Sequence, residues 1–64
     1  LLTVQPMDKV KVKRIIDDLK EYEKWLKTKK DLALSFKEEI TANRIEKEIE
    51  RVEKEIKLLE EMIE

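Results

Sequence analysis

The chain of 64 residues contains no cysteine, no histidine and no glycine, and one proline. Each absence removes a class of answer. Without cysteine no disulfide can staple the fold, and without cysteine or histidine the usual structural zinc site has no ligands. Phosphate-cradling loops and the EF-hand calcium loop need glycine where the backbone turns sharply or meets a ligand, so both are excluded. Hydrolase triads, zinc-protease helices and thiol nucleophiles need His or Cys, and a di-iron bundle site needs Glu-x-x-His. The sequence therefore reads as non-enzymatic, with no catalytic residue, no cofactor and no metal. Carboxylates recur at helical spacing, as at Glu46, Glu50 and Glu53, but in so charged a chain they read as a solvated face.

Other features are scarce rather than missing. No apolar run reaches the length that spans a bilayer, and no basic region followed by an apolar core marks a secretory signal. No membrane is expected, and the default location is cytoplasmic. Aromatic residues make up 5% of the chain and the net charge is −1, so no global field draws the protein to nucleic acid.

What is abundant is charge. Charged residues supply 48% of the sequence, which together with the missing glycine is the profile of long helices, and the fold class is all-α. High Lys and Glu content without cysteine also leans toward a thermophilic source, because ion networks cost less to desolvate at high temperature. A chain this short buries only roughly 60% of the surface its unfolded form exposes. With disulfides and zinc excluded, self-association is the remaining source of stability.

The apolar pattern is a heptad ladder. Ile45, Ile49, Val52, Ile56, Leu59 and Ile63 alternate steps of four and three, which keeps one seam on one side of a helix and requires a partner helix. A second ladder reads Val12, Ile15, Leu19, Tyr22, Leu26, Lys29, Ala33, Phe36 and Ile40. Lys29 is its one charged member, and Ile16 widens the stripe at its N-terminal end. From Ile40 to Ile45 the spacing of five fits neither heptad step, which implies a break. Thr41-Ala42-Asn43 supplies it, with Asn43 and Glu46 in a capping-box arrangement. Two other places compete for the turn: Thr28 to Asp31, and Ser35 with Glu38.

These readings give one helical-hairpin domain over 8–64, with helix 1 at about 8–40, a turn at about 41–43 and helix 2 at about 44–63. Residues 1–7 form an N-terminal arm or a non-native extension, Met7 being a candidate natural start. Because helix 1 is then the longer arm, Val12, Ile15, Ile16 and Leu19 should project beyond helix 2. That projection predicts a homodimer, an antiparallel coiled-coil-like hairpin paired into a four-helix bundle.

Charge is also uneven along the chain. From Lys9 to Lys30 there are nine basic and four acidic residues, and from Asp31 to Glu64 six basic and eleven acidic. The two arms are complementary, within a chain or between chains. Trp25 and Leu32 lie off the expected seam, and tryptophan is enriched at binding hot spots. Together with Lys20, Lys24 and Lys27 they form a candidate surface for an unidentified protein target; the plain alternative is that Trp25 widens the core or covers the turn. The expected function is a protein–protein interaction module or small regulator. A nucleic-acid-associated regulator using the basic face of helix 1 is the alternative, against which stand the interleaved Asp17, Asp18, Glu21 and Glu23 and the lack of a stacking platform.

Overall fold

The computed structural model describes residues 6–63, with side chains from residue 8 onward. Two helices, α1 (Pro6–Ser35) and α2 (Glu39–Ile63), pack against each other as a hairpin. Proline opens α1, where its missing N–H would have no partner, and Asp8 places a negative charge in the first turn. The expected arm falls on residues outside those described, apart from Pro6 and Met7, whose backbone already belongs to α1. Among the described residues no helix is long and apolar enough to cross a membrane.

The turn lies at 36–38, not at 41–43. The Lys37 N–H donates to the Leu34 carbonyl at 3.0 Å and the Glu38 N–H to the Ala33 carbonyl at 2.9 Å. These two crossed bonds, closing on a residue in the left-handed region, make a Schellman cap on α1. The left-handed residue is Lys37, with φ of 59°. Ser35 does not cap the next helix; its hydroxyl donates back to the Leu32 carbonyl at 2.7 Å. The Glu38 carbonyl accepts the first bond of α2, from the Ala42 N–H at 3.0 Å.

Moving the turn alters the arms. The helices have 30 and 25 residues, so α1 does not overhang α2 as expected. Val12 and Leu19 are half-buried, Ile16 is buried, and all three pack in the core. Ala42 and Asn43 belong to α2, and Ala33 and Ala42, on either side of the turn, are both buried. The five-residue step between Ile40 and Ile45 is no break: α2 runs through it, and Ile40 lies off the inner seam at 72% exposure.

The inner seam of α2 is Ala42 followed by the ladder from Ile45 to Ile63. On α1 the opposing line is Val12, Ile16, Leu19, Glu23, Leu26, Lys30 and Ala33, which also steps by four and three. Ile16, Leu26, Ile49, Val52 and Ile56 form the core cluster, with Val12, Leu19, Ile45, Leu59 and Ile63 against it. Of the expected seam, Ile15, Tyr22, Phe36 and Ile40 stand outside this core, exposed. Seven buried apolar residues are outnumbered by ten exposed large ones among the described residues, so the hairpin leaves much of its apolar surface in water.

Candidate protein-docking face

The exposed apolar residues are not scattered. Ile15, Asp18, Tyr22, Trp25, Lys29, Leu32 and Phe36 alternate steps of three and four, so they form a second heptad line along the flank of α1. On α2 the corresponding flank is Ile40, Arg44, Glu48, Arg51, Glu55, Leu58 and Met62. The Tyr22 hydroxyl donates to Glu48 Oε2 at 3.0 Å, which places both lines on the same broad face of the hairpin. Its ends are apolar and its middle is aromatic and charged.

In that middle, Trp25 stacks on Tyr22 with ring centroids 5.9 Å apart and planes inclined by 17°. Lys29 Nζ lies 5.3 Å from the Trp25 ring centroid, within cation–π range. Trp25 nevertheless keeps 53% of its surface exposed. The Arg51 guanidinium grips Glu48 with two bonds, Nε to Oε1 at 2.6 Å and Nη2 to Oε2 at 2.8 Å, and bonds Glu55 with its remaining nitrogen. Hydrogen bonds from Arg51 and then Tyr22 pull the Glu48 carboxyl down to about 2. The same Glu48 bond raises the Tyr22 phenol and, with charge attraction, the Arg51 guanidinium.

The opposite face is polar and cross-linked. Lys30 bonds Glu46 at 2.6 Å, Lys20 pairs with Glu60 at 3.5 Å, and Lys27 pairs with Glu23 at 3.8 Å. The Lys27–Glu23 pair is an i,i+4 contact within α1, in the favoured order with Glu before Lys. Glu53 lies against Glu23, and a hydrogen bond between two carboxyls requires a proton, so that bond raises the Glu53 pKa. The expected partner surface is therefore divided. Trp25 and Leu32 share the aromatic face, whereas Lys20 and Lys27 point to the other face and are engaged there. Lys24 is exposed, and its carbonyl accepts the Thr28 hydroxyl at 3.1 Å.

Sequence spacing alone could not separate the two α1 lines, because Leu19, Leu26 and Ala33 are compatible with both. Choosing Ile15, Tyr22 and Lys29 as the alternating partners looks more apolar than choosing Ile16, Glu23 and Lys30. The signal for the second choice lies on α2, where Glu46 stands in register to receive Lys30. Ile40, Leu58 and Met62 gave the other clue, since they form a stripe off the α2 ladder.

A shallow hollow of about 420 Å³ on α1, lined by Val10, Lys11, Arg14, Ile15 and Asp18, continues the aromatic face past Ile15. Among the described residues, no group of three or more metal-ligating side chains converges. No protein-family model, no curated protein and no solved structure matches the chain.

Proposed function

We propose that the protein is a non-enzymatic interaction module that docks through its aromatic face and is completed by self-association into a helical bundle. One observation carries this reading: a heptad line that places Ile15, Tyr22, Trp25, Leu32 and Phe36 on one flank of the hairpin lies outside its own core, exposed. Heptad order is wasted on a surface that meets only water, and it is what a further helix needs for knobs-into-holes packing. Apolar patches of this extent mark interaction sites on soluble proteins.

A cytoplasmic setting is kept as the default for a sequence that shows no secretory-signal pattern. A nucleic-acid role is supported less well. Lys20, Lys27 and Lys30 of the basic helix are spent on Glu60, Glu23 and Glu46, which leaves fewer cations free to replace the counterions of a phosphate backbone.

Photo-crosslinking tests the reading. A photoreactive phenylalanine analogue in place of Phe36, on the aromatic face, should give discrete crosslinked species. The same analogue in place of Lys24, off that face, should give none. Equal labelling from both positions would remove the face from consideration.

A further inference from the structure

We propose that the occupant of the aromatic face is a second copy of the chain, related by a two-fold axis parallel to the hairpin's long axis, so that α1 of each copy lies over α2 of the other with both turns at the same end. This rests on the reading of the face as a docking surface and adds its partner and geometry. A symmetric pair must place the face against itself, and only two helix-aligned arrangements do so: α1 over α2 with turns together, or each helix over its own copy with turns apart.

Charge separates them. α1 carries nine basic and six acidic residues, a net +3, and α2 five basic and eight acidic, a net −3. Stacking like helices would set Arg51 near its own copy at the centre and Glu48 near Glu55. Crossing them sets opposite charges together. Lys30–Glu46 and the approach of Glu53 to Glu23 agree on which residues of the two helices are level, and an axis along the helices preserves that level between copies. Trp25 then lies level with Arg51 of the second copy, Lys29 falls within a turn of its Glu48, Phe36 meets its Ile40, and Ile15 meets its Leu58 and Met62. Aromatic ring meets guanidinium, ammonium meets carboxylate, and each apolar end meets an apolar end.

The size is adequate. From Ile15 to Phe36 the stripe is roughly 30 Å long at about 1.5 Å per residue, on a hairpin 18 Å across. A standard interface needs about 800 Å² from each partner, a modest share of the 5584 Å² this chain exposes. One mismatch remains: Asp18 comes level with Leu58 of the second copy, a charge set against an apolar side chain.

Sedimentation equilibrium combined with single-cysteine crosslinking tests the arrangement, the absence of native cysteine making each introduced thiol unique. The wild type should sediment at twice 7.8 kDa. Mixing Ile15→Cys with Met62→Cys chains should give a disulfide-linked heterodimer on oxidation, and Ile15→Cys with Phe36→Cys should not. Preferential crosslinking of 15 to 36 would establish the like-on-like arrangement and overturn ours. Asp18→Leu, which removes a charge set against Leu58, should tighten the dimer several-fold; weakening would count against it in the same way. A monomer at every concentration would end the proposal, and Trp25 fluorescence would then decide the underlying reading. Solvent-exposed emission would leave the face open to another partner, and blue-shifted emission from a monomer would close it and remove both.

Discussion

The Tyr22 hydroxyl reaches from α1 to Glu48 on α2, 3.0 Å away, and meets there a carboxylate already held by Arg51 from the next turn of its own helix. Two donors on one carboxylate stabilise its charged form. The guanidinium is the stronger influence, being charged and bidentate. Arg51→Leu should therefore raise the Glu48 pKa from about 2 further than Tyr22→Phe does, as followed by NMR titration of the side-chain carbonyl. Because the folded pKa is depressed, the stabilisation is present above the ordinary 4.5 and is lost as pH falls toward about 2. Both variants should flatten that acid limb. The effect will be small, since Tyr22 and Arg51 are exposed and Glu48 is only half-buried.

Glu53 behaves in the opposite sense. Its carboxyl is raised by the hydrogen bond with Glu23, then by desolvation and the Glu23 charge. A raised acid favours the fold while it is protonated, and this contribution disappears as pH rises through the folded pKa. Glu53→Gln keeps a donor for Glu23 without the second negative charge. Its melting temperature should exceed the wild type's at neutral pH, with the gap closing in acid below the ordinary carboxylate value. A gap that does not change with pH would show that charge repulsion is not its source.

The all-helical hairpin was legible because a period of 3.5 residues is hard to mistake, and the α2 ladder from Ile45 to Ile63 lines the interface as its spacing implied. The turn was legible only as one of three candidates, Ser35 with Glu38 being the one beside which it falls, and it was not preferred for a definite reason. A helix stop is usually marked by glycine in the left-handed cap position, and this chain has none, so Lys37 occupies it without any sign in the residue type. Asn43, a good cap residue by type, sits inside α2. The docking face was half legible. Trp25 and Leu32 stood out as off-seam apolar residues, but Tyr22, Phe36 and Ile40 were absorbed into the core because their spacing suits a heptad equally well. Polar residues at Glu23 and Lys30 hid the true seam, and their partners on α2 become apparent only once the register is known.

Core and face should respond differently to the same chemistry. Val52 has 0% exposure, and an aspartate there would bury an unpaired charge. Val52→Asp should abolish helical circular dichroism. Phe36, at 69% exposure, can carry an aspartate in water, so Phe36→Asp should retain the helical signal while lowering the sedimenting mass. Retained helicity in Val52→Asp would undermine the assignment of the seam itself.

Lys37 offers a stabilising change at the point where the chain departs most from local preference. A residue with a Cβ in the left-handed region is disfavoured by about 1–2 kcal/mol, which glycine avoids. Glycine also gains freedom in the unfolded chain, which offsets about 0.4–1 kcal/mol of that relief. Lys37→Gly should then stabilise the fold by about 0.5–1 kcal/mol, raising the melting temperature by a few degrees in a domain of this size. Lys37→Ala makes the control, since it removes the same charge and keeps the Cβ. If alanine stabilised as much as glycine, the gain would come from the charge at the turn, and the strained cap would not be its cause. A gain specific to glycine identifies the backbone at position 37 as the site of strain and places the turn at 36–38 in solution, because at an ordinary position inside a helix the same substitution would cost about 1 kcal/mol.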